Sequence, residues 1–432
     1  MKTLVVLTFF LSFLASDAFA AALSIKGSAS QTLEASDNYF LLNSPSGPTI
    51  KSSTAGSLDI LAQTPTTNYL FDANYSYYKY FGRGANDTTL TWGTPASATF
   101  SIDHTEQLTK YNFAAGWNRV DAATTQLAQS GFTTVSGSIN TYLISGGVTH
   151  DLNRIDTLSL ATRASKVTFT DPAQFAYVDV TTTAAWKHDV SSITSLNNLL
   201  SLDWFSEDDP AQSQRLFWKI MTGFTSKLSQ RLTFVGNVGY GFVNAYQNGP
   251  QSIIPLSPFN TASFQPLPGA ASSLLADVAL SYQLFRATRV TLTGTHGISP
   301  TAFGQLQKTE TVGLGLTQDI NQRSNVSFAT QFSYIPASQG SSAFAGQTGN
   351  SNFFSASANY GLSLTREWRT NVSYTYRHRN DDTGTAKSST ILFALSRDFT
   401  ILGNPTALNL AERERTRERA RQSVGQVFPN FQ

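Results

Sequence analysis

No cysteine occurs in the chain, which excludes disulfides, thiolate metal sites and cysteine nucleophiles. An exported protein gains from that absence, because oxidative mispairing in the periplasm is avoided. Charge is scarce too. Asp, Glu, Lys and Arg supply 13% of the 432 residues, about half the roughly 25% of ordinary soluble domains. The formal net charge is only +2, so no strong attraction to nucleic acid or another polyanion is expected. Beyond the N-terminal segment no apolar run approaches the ~20 residues of a transmembrane helix. Metal-binding patterns are missing as well. His104, His150, His188, His296 and His378 are scattered, with no HExxH or paired spacing, so neither a metal nor another cofactor is expected.

What fills the space left by charge is Ser, Thr, Asn, Gln and Gly, arranged with a two-residue period. The clearest stretch runs from Asn352 to Phe399. Phe354, Ala356, Ala358, Tyr360, Leu362 and Leu364 alternate with Ser355, Ser357, Asn359, Gly361 and Ser363. Trp368, Thr370, Val372, Tyr374 and Tyr376 then alternate with Arg369, Asn371, Ser373, Thr375 and Arg377, and Ile391, Phe393, Leu395 and Phe399 share a face. Successive side chains of a strand point to opposite faces, so each run has one oily and one polar side. A tight turn at Thr365–Glu367 joins the first two runs, and a polar loop, Arg379–Ser388, is expected before the third. Short turns, longer loops and about ten residues per strand form the pattern of a transmembrane antiparallel β-barrel.

The N-terminus reads as a secretory signal. Lys2 supplies the positive charge, Leu4 to Leu14 the apolar stretch, and Ala18-Phe19-Ala20 a small-x-small cleavage site before Ala21. The expected organisation is a signal peptide over 1–20, a barrel over 21–402 and a periplasmic tail over 403–432. Asn404-Pro405 ends the alternation, and Leu408 to Gln422 reads as a charged helix that is either solvated or docked to a periplasmic partner.

Taken in order, alternation starts at Leu23 to Ser30. A Pro/Ser/Gly-rich loop is expected from Asn43 to Ala55, then strands around Leu58–Ile60 and Tyr69–Tyr78. Less regular strands follow at Thr88–Trp92 and Ala98–Leu108. Strands are next expected near Val135–Thr149, Thr157–Phe169, Tyr177–Lys187, Thr194–Phe205, Arg215–Thr225 and Arg231–Val243. Leu275–Leu284, Arg289–His296, Thr309–Thr317 and Asn325–Tyr334 lead into the three runs above. The total is about eighteen, an even number as bacterial barrels have. Connections alternate between tight (Asp151–Asp156, His188–Thr194, Ser226–Gln230, Phe285–Thr288, Gln318–Ser324) and long (Ser206–Gln214, Tyr246–Ser273, Ile335–Ser351). The tight set belongs to the periplasm and the long set to the exterior. Tyr246–Ser273 contains Pro250, Pro255, Pro258, Pro266 and Pro268; it is neither strand nor helix, and a constriction folded into the lumen is one reading. Aromatics near strand ends (Tyr75, Tyr77, Phe81, Trp92, Trp117, Trp186, Trp204, Trp218, Trp368, Tyr374, Tyr376) suit interfacial girdles.

Alternation assigns Asp59, Asp72, Asp179, Asp203 and Asp277 to the inner face, with Lys26, Arg163, Lys219 and Arg377. Tyr78, Tyr80, Tyr142 and Tyr177 join them. Both signs are present, so strong ion selectivity is not implied. No catalytic residue is assigned. His378 with Asp381 and Asp382, or His104 beside Asp103, are pairs an outer-membrane hydrolase could use, and Asn380 to Gly384 lacks the ligand spacing of a calcium loop.

From Thr64-Pro65-Thr66-Thr67-Asn68-Tyr69 to Ser396-Arg397-Asp398-Phe399, the chain resembles the outer-membrane β-barrel porins encoded with bacterial exopolysaccharide operons. That resemblance, one of pattern rather than of a sharp motif, implies a passage for secreted polysaccharide working with periplasmic export proteins. The charged extension after Phe399 departs from barrels that end on their last aromatic residue. A hydrated pore lined by hydroxyls and amides suits either that role or a general or solute-specific diffusion porin; a soluble two-sheet protein is the remaining alternative.

Overall fold

In the computed structural model, residues 22–88, 91–130, 137–172, 174–208, 213–247, 270–300, 306–336, 350–382 and 384–403 are described. The expected signal peptide, nearly all of the loop Tyr246–Ser273 and nearly all of the tail after Leu402 lie outside these residues. The described chain forms one closed antiparallel sheet of eighteen barrel strands. These are β1 (Ala22–Ser36), β2 (Thr49–Gln63), β3 (Thr67–Phe81), β4 (Ala96–Thr105), β5 (Thr109–Asp121) and β6 (Ser138–Asp151). Next come β7 (Asp156–Phe169), β8 (Tyr177–Asp189), β9 (Thr194–Glu207), β10 (Ser213–Lys227), β11 (Leu232–Gln247) and β12 (Ala270–Phe285). The ring ends with β13 (Thr288–Pro300), β14 (Leu306–Asp319), β15 (Ser324–Ile335), β16 (Ser351–Ser363), β17 (Trp368–Asp381) and β18 (Gly384–Leu402). Each strand pairs with its sequence neighbours, and β1 closes on β18 from Ile25–Leu402 to Ser36–Thr390. Closure removes both sheet edges, the condition for a sheet to survive in hydrocarbon.

The register shows why these residues form this wall. Directly opposed residues point to the same side. Val148, Leu160, Ala184, Leu200, Ile220, Tyr240 and Leu274 form one unbroken cross-strand row from β6 to β12. Leu160, Leu200, Ile220 and Leu274 in that row are between 44% and 57% exposed. The adjacent row, one residue along every strand, reads Gly147, Ala161, Thr183, Ser201, Lys219, Gly241 and Ser273. Large aliphatics therefore look outward and small polar groups inward, the reverse of a soluble sandwich. Hydroxyls bridge strands on the inner side, as at Ser28–Ser57 (2.7 Å), Thr149–Ser159 (3.1 Å) and Thr311–Ser333 (3.2 Å).

Outward aromatics gather at two levels, with Tyr69, Tyr111, Trp186 and Trp368 near the tight-turn end and Tyr75, Trp117, Trp204 and Trp218 towards the other. Six residues separate Tyr69 from Tyr75 and Tyr111 from Trp117, which is roughly 15 Å along the axis at usual rise and tilt. An apolar belt between two aromatic girdles places the barrel across the bacterial outer membrane.

Several sequence-based limits change. The loop expected at Asn43–Ala55 ends at Pro48, because polar Lys51 to Thr54 continue the ladder with β1 and β3 above the membrane belt. The strand expected at Thr88–Trp92 shrinks to the pairings Tyr78–Gly93 and Lys79–Trp92. Thr109–Asp121, to which no strand was assigned, is β5. The polar loop expected at Arg379–Ser388 is a tight turn instead. Gly384 at φ +136° reverses the chain there, and inward Ser388 and Thr390 are buried rather than solvated.

Candidate functional site: a lumen crossed at its outer mouth

At usual spacing and tilt, an eighteen-strand ring is roughly 35 Å across, backbone to backbone. Two segments at the long-loop end fold into it. One is the β5–β6 connection, whose first part is a helix, α1 (Ala122–Ser130). Ala, Gln and Leu favour helix, and Asp121 caps it, its Oδ1 accepting the Thr124 N–H at 2.8 Å. Ala122 packs with Ile139, Val167, Tyr177 and Phe205, the inner-face residues of β6 to β9. Leu127 clusters with Phe353 of β16 and Ala386 of β18, and with Leu41. On a ring of eighteen, those two walls are six to nine strands apart, which puts them on facing sides of the lumen.

The second segment is the β1–β2 connection, residues 37–48. Leu41 is fully buried at φ +53°, a left-handed conformation that a branched side chain adopts only when its surroundings hold it there. The side-chain amide of Asn38 donates to the carbonyls of Leu42 (2.7 Å) and Lys387 (3.0 Å). Arg379 Nη2 donates to Asn43 Oδ1 at 3.0 Å, and Arg379 Nε lies 2.8 Å from Asp381 Oδ2 in a buried pair. A short 3₁₀ turn, Arg83–Asp87, props the same segment: Gly84 N–H donates to Pro48 O at 3.2 Å and Ser46 bonds Asp87. At Gly82 (φ +97°) a Cβ would stand 2.5 Å from Pro48 O, so only glycine fits.

Where the two segments meet β3, Tyr39, Phe40, Tyr78, Tyr80 and Ala85 form a buried cluster. Lys51 Nζ lies 4.6 Å from the Tyr78 ring centroid and 5.6 Å from those of Tyr39 and Tyr80. It also donates to the Tyr39 hydroxyl at 3.1 Å, an arrangement in which ring quadrupoles replace lost hydration. Burial, with Glu34 beside it, raises the Tyr39 hydroxyl well above its ordinary pKa, so it stays a neutral hydrogen-bonding group. The Tyr78 hydroxyl donates to Asp121 Oδ2. One carboxylate thus ties the start of α1 to the wall. Asp121→Ala should weaken that tie by about 1 kcal/mol or more, read as a noisier open-channel current. Asp121→Asn, which keeps the capping acceptor, should remain close to wild type.

The residues singled out from sequence are dispersed over the inner face. Lys26, Asp59 and Asp72 are direct cross-strand partners on β1, β2 and β3. Arg163 and Asp203 lie on one row through Thr181, with Asp179 two residues above it on β8, where Tyr177 also lies. Lys219 faces Ser201 on β10, Asp277 faces Asn237 on β12, and Arg377 lies between Ser355 and Ser388. Tyr78 and Tyr80 join the buried aromatic cluster. Tyr142 does not belong with them: it pairs with Trp117 and is 50% exposed on the outer face. Charge is uneven around the ring, since the inner rows from Thr291–Gly315–Ala329–Ser357 to Thr295–Thr311–Ser333–Phe353 carry none.

Neither histidine pair singled out from the sequence assembles; His–carboxylate contacts form elsewhere, among them His188–Asp156 (2.8 Å), between β8 and β7, and His296–Glu310 (3.2 Å), between β13 and β14. His104 bonds Thr67 Oγ1 (2.8 Å) while neighbouring Asp103 points to the opposite face, and Asp381 is committed to Arg379 rather than to His378. Among the described residues no group of three or more His, Asp or Glu side chains could hold a metal ion. A depression of about 780 Å³ lined by Leu158, Leu160, Trp186, Leu200, Ile220 and Tyr240 lies outside, on the lipid-facing wall.

The fold and its two faces define a transmembrane β-barrel of the outer-membrane type. No protein-family model matches the chain, and no curated protein matches it. Among solved structures, OccAB3 of Acinetobacter baumannii is 10% identical with a TM-score of 0.46, covering 87% of this chain and 99% of its own. OprD of Pseudomonas aeruginosa is 9% identical (TM-score 0.46; 88% and 96%). OccK2 of the same organism, solved with glucuronate, is 9% identical (TM-score 0.47; 88% and 98%). At this distance the likeness does not extend to function.

Proposed function

We propose that the protein is a passive diffusion porin for small hydrophilic solutes. The observation that carries this reading is the crossing of the outer mouth by α1 and residues 37–48, held between facing inner walls. A polar, water-filled bore lets solutes move by many weak contacts, and an obstacle at one end sorts them by size. Asp59, Asp72, Arg163, Asp179, Asp203, Lys219, Asp277 and Arg377 line the path, and their mixed signs favour neutral or zwitterionic solutes over strongly charged ones. Tyr78, Tyr80 and Tyr177 act as structural supports of the crossing.

The same crossing counts against the polysaccharide conduit that the family resemblance implies, since a polymer needs a bore open from end to end. Permeation of protein-loaded liposomes separates the two. A monosaccharide should enter quickly and a dextran should be excluded. Dextran entry at a comparable rate, together with loss of surface polysaccharide on deleting the gene, would restore the polymer reading.

A further inference from the structure

Three cations stand near one another on the lipid-facing side of β3, β5 and β7, where alternation calls for apolar groups; Lys387 and Arg397 share that side on β18. Lys79 shares its face with Tyr75, Tyr77 and Phe81, Arg119 with Trp117, and Lys166 pairs with Tyr142 and Val178. All lie within three residues of the long-loop ends of β3, β5 and β7. Lys79 and Lys166 are exposed and, among the described residues, make no hydrogen bond or ion pair; Lys79 Nζ lies 5.5 Å from the Phe81 ring centroid. Arg119 reaches only Ser138 Oγ, at 3.5 Å, and its Nε is buried without a partner. Among the described residues of β3 to β8 no acidic side chain stands on this outward face at the long-loop end; Asp156, on the same face of β7, lies at the opposite end, bonded to Trp186. Asp121, which alternation would place there, is turned to Tyr78 instead.

A cation is costly on the lipid face at mid-membrane and tolerated near the interface, where headgroups reach it. Arg119 and Lys166 stand two strands and two residues apart, roughly 12 Å between Cα atoms. Lys166 is the direct cross-strand partner of outward Tyr142 and Arg119 stands diagonal to it, so the two positions bracket one ring near the rim. We propose that Lys79, Arg119 and Lys166 form a docking surface for the phosphate groups of an outer-leaflet glycolipid. The charge complementarity is one-sided, three positive groups with no internal anion, and only a lipid headgroup reaches an outward-facing position at the rim of a membrane barrel.

The test is native mass spectrometry of the full-length purified protein with a bisphosphorylated glycolipid, the same lipid dephosphorylated, and inorganic phosphate as competitor. Each basic residue near an anionic surface is worth about fivefold in affinity, so Lys166→Gln should lose about fivefold. The triple variant Lys79→Gln/Arg119→Gln/Lys166→Gln should lose on the order of a hundredfold, while Lys308→Gln, on a distant strand, should lose nothing. Heat-modifiable gel migration shows that each variant is folded, and the single variant suffices if the triple one is not. Equal retention of phosphorylated and dephosphorylated lipid, equal retention by Lys166→Gln and wild type, or displacement by inorganic phosphate would each overturn the proposal.

Discussion

Replacing Ala122–Ser130 with a short Gly-Ser linker should about double the single-channel conductance, because a helix 10–12 Å wide lies across a bore that leaves roughly 20–25 Å between facing side chains. Nothing in the barrel ladder depends on α1, which enters the lumen from a connection rather than from the sheet. The variant should therefore assemble, migrate as a folded barrel and differ mainly in current. Its size cut-off for neutral sugars should rise in parallel. Leu127→Asp should move both quantities the same way by less, since it removes one contact with Leu41, Phe353 and Ala386 while leaving the helix capped. Conductance unchanged in both variants would mean that α1 does not stand in the ion path.

Arg379→Met should cost about 3–5 kcal/mol of stability, the usual consequence of removing one member of a buried ion pair. The Arg379 and Asp381 side chains are 7% and 5% exposed, with nitrogen and oxygen 2.8 Å apart. Little water is available to replace the lost partner. Arg379 also holds Asn43, so the loss spreads to the 37–48 segment and loosens the crossing. Urea or heat titration followed by heat-modifiable migration measures the effect. Replacing both charges, as Arg379→Met/Asp381→Leu, should recover most of the stability but not the hold on Asn43. Wild-type stability in the single variant would remove the pair from the account.

The barrel was legible in the sequence because a period of two is a one-dimensional signal that lipid enforces on every strand. Phe354 to Leu362 illustrates it: the oily set looks out and the Ser/Asn set looks in, with no tertiary information required. The crossing was not legible in the same way. Tyr39, Phe40 and Leu41 carry no periodic signal of their own, because their partners are Tyr80, Phe353 and Ala386, far along the chain. One local signal was present, Asp121 ahead of Ala122-Ala123, an N-cap before helix formers. Tyr142 was assigned to the wrong face for a related reason. At the outer end of β6 both faces are apolar, since inward Ile139 packs against Ala122 while outward Tyr142 and Ile144 meet lipid. Alternation loses its meaning wherever an inserted element gives the inner face a core of its own.

Because the chain has no cysteine, single substitutions along β16 report each face on a silent background. Ser355→Cys, Ser357→Cys and Asn359→Cys should react with a membrane-impermeant thiol reagent in intact proteoliposomes. Ala356→Cys and Ala358→Cys should resist it, and a fluorophore placed there should be quenched by brominated lipid. Labelling that fails to alternate, or that favours the alanine positions, would mean that the oily face does not meet hydrocarbon and the polar face does not meet water.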